Sequence, residues 1–368
     1  MIVLYIFLAL LVFGFLIFIH ELGHFIAARA FGVQIFEFSL GMGPKLVWYK
    51  AKKSGITYSL RMFPIGGFVS MLGEDSDGEI EKEHPDCDPT RSLGVRPAWQ
   101  KLIVNAAGAL MNLFFGFLVM TLIAVFTTPG STTVAKLYSV EQMQENYGDE
   151  LLSYTAGPSS EQDLAAGDEI IAVNGRRVHI MEELHYAVMH DGNEAVELTL
   201  RRNGEKITRT VTFPTITEQG QTLGIPDFAV KAEQKTFGNI LKQSFYKSVY
   251  VVRMVWESIF DLLRGRYGVE AVSGPVGTAE VIVDAAKNGL YSLSLVAVVI
   301  SVNLGIFNLL PLPALDGGHV MLNLIELITR KKVPPRYTAV IDAVGLLVLL
   351  SLIVLITCKD VTSLFKRG

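Results

Sequence analysis

Residues 15–28 read FLIFIHELGHFIAA, which sets His20, Glu21 and His24 inside an otherwise apolar run. No charged residue occurs from Ile2 to Ile19. At ~1.5 Å rise per residue, that stretch nearly crosses a ~30 Å hydrocarbon core before His20 is reached. Ionisable groups at such depth are costly, rare and by default functional. At about 100° per residue, His20 and His24 stand about 40° apart on the helix surface with Glu21 beside them. Two neutral imidazoles one turn apart can bind zinc, and an adjacent carboxylate can take a proton from water on the metal. A secretory signal peptide ending at Ala28-Arg29-Ala30 is a poor alternative, because no basic residue precedes the run and the run is too long. A purely structural helix is disfavoured by the clustering of all three polar groups.

Half of the 368 residues are hydrophobic. This composition fits a polytopic α-helical membrane protein with room for one soluble domain. The net charge of −4 gives no sign of nucleic-acid binding. Four transmembrane segments are expected, over residues 1–31, 99–128, 290–328 and 337–358, the third interrupted by polar and proline residues. The loop Thr329 to Arg336, TRKKVPPR, is strongly basic and is expected on the cytoplasmic side. Parity then puts both termini and the long segment between the second and third spans outside. Cys87 and Cys358 fall on opposite sides in that topology, so neither an internal disulfide nor a thiolate metal site follows.

Residues 32–73 resemble no span. Alternating runs broken by Gly41-Met42-Gly43-Pro44 and Pro64-Ile65-Gly66-Gly67 suggest paired strands, either re-entering the membrane beside the histidines or forming an ordinary cytoplasmic hairpin. Residues 74–98 begin as an acidic, polar linker in which His84 is read as solvated. Residues 132–215 carry β signals: Leu164 to Gly175 matches L-x-x-G-D-x-I-x-x-V-N-G, a helical stretch runs from Met181 to Met189, and alternating strands follow. The order resembles a PDZ domain, which typically accepts a peptide as an added strand; His179, His185 and His190 within it are read as surface or packing residues. Residues 236–266 have apolar positions at helical spacing mixed with charges, as in an amphipathic helix on the outer interface. Residues 271–279, AVSGPVGTA, read as a glycine-rich loop.

Two histidines and a water leave a tetrahedral zinc one ligand short. Residues 301–319 read SVNLGIFNLLPLPALDGGH; Pro311 and Pro313 break the helix, and the glycines would let Asp316 turn toward the imidazoles. His319 is the rival ligand, and a turn aspartate is the plain alternative for Asp316. Asn303 and Asn308 would either join helices or bond to the exposed backbone of a substrate. Asn105 and Asn112 invite the same two readings, with packing preferred.

These residues together resemble the site-2 protease family of intramembrane zinc metalloproteases, most closely its bacterial RseP-type (regulator of sigma-E) branch. His20-Glu21-Leu22-Gly23-His24 fits its first motif and Asn303 to Gly318 its second, with a PDZ-like segment between. The resemblance implies Zn2+ held by His20, His24 and Asp316, with Glu21 as general base. It further implies substrate contacts at Asn303 and Asn308, with Pro311 and Pro313 beside them, and a re-entrant β-hairpin that clamps the substrate as a strand. The fold implied is a four-span helical membrane protein with an inserted extracytoplasmic PDZ domain, in a bacterial inner (cytoplasmic) membrane. The implied substrates are single-pass membrane proteins such as anti-sigma factors or remnant signal peptides, often cut first by an upstream site-1 protease. The chain has one PDZ-like segment where the best-known relatives in Gram-negative bacteria have two. Its second-span motif is Ala107-Gly108-Ala109-Leu110-Met111-Asn112, where A-G-P-x-x-N is common.

Two other classes compete. A non-catalytic adaptor with structural zinc has no use for Glu21 and prefers a fourth protein ligand. An ion transporter with a midplane His/Asp site commonly shows repeated halves, and no repeat is evident here.

Overall fold

The computed structural model describes residues 2–74, 84–148, 153, 157–218, 221–265, 274–331 and 334–367. Residues 75–83 of the acidic linker and 271–273 of the glycine-rich loop lie outside them. In chain order the helices are α1 (Ile2–Ala30), α2 (Ala98–Phe126), α3 (Val140–Tyr147), α4 (Met181–Asp191), α5 (Phe237–Leu263), α6 (Pro275–Lys287), α7 (Leu290–Leu309), α8 (Asp316–Thr329) and α9 (Pro335–Arg367). The strands are β1 (Ile35–Lys50), β2 (Thr57–Met71), β3 (Gly130–Leu137), β4 (Glu169–Val173), β5 (Arg176–Arg177), β6 (Val196–Arg202), β7 (Glu205–Val211), β8 (Thr215–Glu218), β9 (Gln221–Gly224) and β10 (Phe228–Ala232). Among the described residues, α1, α2, α7 and α9 each hold a stretch long and apolar enough to cross a membrane. The chain is a multi-pass helical membrane protein. It divides into one unit of Met1–Val119 with Val251–Gly368 and another of Met120–Tyr250.

In the first unit, β1 and β2 are each long enough to fold on themselves. Residues Glu37 to Leu40 pair with Ser70 to Gly67 on one side and with Thr57 to Leu60 on the other, while Lys45 to Lys50 pairs with Arg61 to Thr57. The ladder is therefore a four-stranded mixed arrangement, parallel between its two central segments 37–40 and 57–60 and antiparallel to the edges, with residues 67–71 along one edge and 45–50 along the other. Phe38 and Val69 from this sheet pack on Phe25 and Ala28 of α1 in one buried cluster, where Phe38 meets Phe25 edge to face at 5.6 Å. The outer part is different: Met42, Leu46, Val47, Trp48, Tyr49 and Phe63 are exposed.

The third span is two helices. α7 stops at Leu310, and α8 begins at Asp316 after the Pro311-Leu312-Pro313 break, where Ala314 has a left-handed φ of 64°. The Ala314 N–H donates to Asp342 of α9 at 3.4 Å. The glycine-rich loop is shorter than its composition suggests, since α6 starts at Pro275. Proline's fixed φ suits the first helical position, and the N–H groups of Gly274 and Gly277 both donate to Asp360 of α9 at 2.9 Å. That capping carboxylate comes from the far end of the chain, so no local signal announces it.

The second unit is a twisted antiparallel sheet in the order β10-β3-β4-β6-β7, with β5 beside β4 and a separate β8-β9 hairpin. It begins at Gly130 and takes β10 from beyond residue 215, so the β region is wider than residues 132–215. Leu184, Ala187 and Val188 of α4 fill one core with Ile170, Leu198, Leu200 and Phe213. Helix α3, which no apolar periodicity signals, is held by a capping box between Ser139 and Gln142. The Gly167-Asp168 pair closes the turn into β4: Asp168, buried, accepts from the Ala165 N–H at 2.9 Å and from Arg202 Nε at 2.7 Å. Burial pushes its carboxyl up, but the Arg202 and Ala165 hydrogen bonds outweigh this and hold it below the usual carboxylate range.

A carboxylate depressed in the folded state contributes stability above its unfolded pKa of ~3.9, and the contribution is lost as pH falls through the lower folded value. Thermal unfolding of the full chain between pH 5 and 2 is expected to show the β unit weakening across that window. In Arg202→Ala, which leaves a buried carboxylate without its charged partner, the same unit is expected to lose about 2 kcal/mol at pH 7. An unchanged pH profile in the variant would detach this stability from Asp168.

Candidate metal centre

Two helices of the membrane unit converge on one point. α1 brings His20 and His24 on adjacent turns, both buried, and the first residue of α8 brings Asp316. Asp316 Oδ2 lies 3.0 Å from His20 Nε2 and 3.3 Å from His24 Nε2, and the two Nε2 atoms are 3.3 Å apart. The Asp316-Gly317 pair explains how α8 reaches so far in. A Cβ at Gly317 would come within 2.1 Å of the Leu310 carbonyl oxygen, so only glycine lets α8 start against the end of α7.

The rear of each imidazole is held by α2. His24 Nδ1–H donates to the Val104 carbonyl at 2.8 Å, which fixes the tautomer and leaves Nε2 as a lone pair aimed at the cluster. The amide of Asn112, fully buried, lies 3.3 Å from His20 Nδ1. As placed, Asn112 Nδ2–H faces His20 Nδ1 while its Oδ1 has no partner; with the amide turned over, Oδ1 would accept Nδ1–H and free His20 Nε2 in the same way. Between these two contacts α2 passes at glycine distance: a Cβ at Gly108 would meet His24 Nε2 at 2.2 Å and His20 Nε2 at 2.8 Å.

The donor set fits a tetrahedral metal. With bonds of ~2.0–2.1 Å to zinc, ligand atoms stand roughly 3.3 Å apart; the observed spacings are 3.0, 3.3 and 3.3 Å. Asp316 Oδ2 is buried without a hydrogen-bond donor, as a metal ligand would be. His20, His24 and Asp316 form the one such cluster among the described residues.

Of the other residues singled out in the sequence, Glu21 lines the same cavity of about 380 Å3, together with Asn105, Asn323 and the ion-paired Lys101 and Glu326. Asn308 reaches the cluster, its amide 3.4 Å from His20 Nε2. Asn303, Pro311 and Pro313 do not line that cavity. His319 stands in its wall with Nε2 3.7 Å from Asp342, outside the ligand cluster. The sheet edge is the other wall: Gly67 to Val69 line the cavity, and a Cβ at Gly67 would meet Glu21 Cγ at 2.9 Å. Sequence reasoning took Asn112 for a packing residue; its place five positions after Ala107 in the second-span motif was the available signal.

Comparison with known proteins gives the family. Residues 8–352 match the model of peptidase family M50. The chain therefore belongs to that family, the site-2 family of metalloproteases, whose cofactor is zinc. It is similar to a protein of Clostridium perfringens that carries the provisional name of a zinc metalloprotease, 33% identical over 97% of this chain and 98% of that one. The zinc metalloprotease RasP of Geobacillus kaustophilus is 28% identical with 97% of each chain covered. The regulator of sigma-W protease RasP of Bacillus subtilis is 24% identical over 97% of this chain and 98% of its own length.

Gly108→Ala tests the role of α2. Alanine favours a helix by about 1 kcal/mol over glycine, so α2 itself is kept. The added methyl occupies the space of two imidazole nitrogens, and zinc affinity, read by chelator competition on the purified protein, is expected to fall by about 10- to 100-fold. Wild-type affinity would mean that α2 does not set the ligand positions.

Proposed function

We propose that this chain is an intramembrane endopeptidase that hydrolyses peptide bonds within single-pass membrane helices, with His20, His24 and Asp316 holding zinc and Glu21 as the general base. The carrying observation is the three-atom cluster at 3.0 to 3.3 Å, two of its atoms from an apolar helix, beside the Glu21 carboxylate and a polar cavity. Zinc held there would supply Lewis acidity toward the scissile carbonyl and the attacking water. Glu21 would accept a proton from the attacking water and return it to the departing amide nitrogen. Asn308 is placed to bond to substrate backbone at the metal; Asn303, Pro311 and Pro313 belong to the same proposal through the family motif they share with it.

A helical peptide bond has its polar groups satisfied internally and must be unwound before water can attack. Residues 67–71 form a sheet edge along the cavity and are suited to receive the unwound segment as an added strand. The exposed apolar residues of the outer hairpin support its re-entry into the membrane. The second unit, an antiparallel sheet with α4 packed on it, is read as a PDZ domain on the extracytoplasmic side that docks or screens substrates. α5 is read as lying on that face of the bilayer, since Phe237, Leu241 and Phe245 are exposed. The basic loop after α8 supports the cytoplasmic orientation of that end. The sigma-W name of the Bacillus subtilis relative favours membrane-bound anti-sigma factors as substrates, after an upstream protease has trimmed them; remnant signal peptides are the second class.

Cleavage of a tagged single-pass helix in detergent by wild type and Glu21→Gln, with zinc measured on both, tests the reading. A loss of 100-fold or more with zinc kept near one per chain is expected. Retained cleavage in the variant removes Glu21 as base. A wild type that binds zinc but cuts no unwound or truncated helix favours the adaptor.

A further inference from the structure

The membrane unit holds a second, larger cavity that the proteolytic reading does not use. Its volume is about 910 Å3, and it opens between the sheet, the end of α1 and the segment around His84. Among the described residues its walls carry Arg29, Lys45, Lys50, Lys53, Arg61 and Arg91 against Glu37 and Asp86. Glu37 is already engaged, bonded by Lys45 at 2.8 Å and by Arg61 at 2.9 Å. Among the described residues Lys50 and Lys53 meet no carboxylate, and both are exposed. A concave wall with an excess of four cations, six less two, is a seat for an anion.

Depth says which anion. Arg29 closes the apolar span Phe7–Ala30, so the cavity mouth stands where hydrocarbon gives way to water. The strand edge that supplies Lys45 and Lys50 carries between them Leu46, Val47, Trp48 and Tyr49, all exposed, with Trp48 at 62% and Tyr49 at 64%. Exposed Trp and Tyr beside lysines at a span's end are the signature of the headgroup layer. The ligand that matches both halves is amphiphilic: a phosphate for the cations, and acyl chains for the apolar run. His84, stacked flat on Phe36 at 4.1 Å, adds a polar ring to the wall.

We propose that this cavity binds the phosphate headgroup of an anionic phospholipid, with Arg29, Lys50 and Lys53 as its principal contacts. Lipid occupancy would tie the sheet to the headgroup layer, and this holds whether or not the chain proves to be a protease.

The experiment is native mass spectrometry of the full chain in neutral detergent, titrated with phosphatidylglycerol or phosphatidylcholine. Wild type is expected to retain phosphatidylglycerol selectively. Arg29→Gln/Lys50→Gln/Lys53→Gln is expected to bind it about 100-fold more weakly, at roughly fivefold per cation. The charge-keeping Arg29→Lys/Lys50→Arg/Lys53→Arg is expected to bind as wild type, which separates loss of charge from loss of fold. Equal retention of phosphatidylcholine, or undiminished phosphatidylglycerol binding in the glutamine variant, overturns the proposal. So does soluble glycerol phosphate that competes at equal concentration, since the site would then be one for free phosphate. Absence of any lipid selectivity in wild type overturns it as well.

Discussion

The structure of the membrane unit depends on one constraint: three polar atoms must stay within 3.3 Å of one another inside apolar helices, where water cannot satisfy them. Two imidazoles alone would rotate away or pair with the nearest carbonyl. What prevents this is support from behind, the Val104 carbonyl for His24 and the Asn112 amide for His20. Both supports lie on α2, so the spacing of α1 and α2 is part of the site and not merely of its packing. Gly108 sets that spacing, because any side chain there would enter the space of the ligand nitrogens. Asp316 needs a different device, a helix that begins beside the imidazoles, directly after the end of α7. Its freed backbone is acceptable there because it borders protein and a polar cavity.

This division of labour explains what the sequence could and could not disclose. The clustering of His20, His24 and Asp316 was legible because HELGH has a spacing with a mechanism, and because Asp-Gly-Gly after two prolines cannot be an ordinary span. The four membrane helices were legible from length and composition alone. Partnerships across long separations left no local trace. Asn112 looked like a packing residue because nothing in its own helix points to an imidazole in another. The start of α6 was read as loop because its cap, Asp360, lies 86 residues further on. The hairpin's pairing was legible as strands, yet its four-stranded order was not, since Glu37 to Leu40 pair on both sides and periodicity reports only alternation. In the β unit, the L-x-x-G-D pattern was recognised before its reason was known; that reason is Asp168 bridging the Ala165 N–H and Arg202.

For the proposed reaction, the decisive relation is between Glu21 and the sheet edge. A peptide bond inside a lipid-embedded helix is shielded twice, by its own hydrogen bonds and by the absence of water. Unwinding a few residues there without replacement partners would leave several backbone groups unsatisfied, each costing several kcal/mol. No single metal ligand offsets a penalty of that size. A strand edge does, because it offers backbone N–H and C=O groups at the spacing an extended chain requires. Residues 67–71 run along the cavity that holds Glu21 and the ligand cluster, and Gly67 gives them close approach to the carboxylate. A segment paired on that edge would have its hydrogen bonds remade in the place where its carbonyl meets the metal and the base. Extension of the substrate and exposure of its scissile bond then become one event, and helices that unwind easily become the preferred substrates.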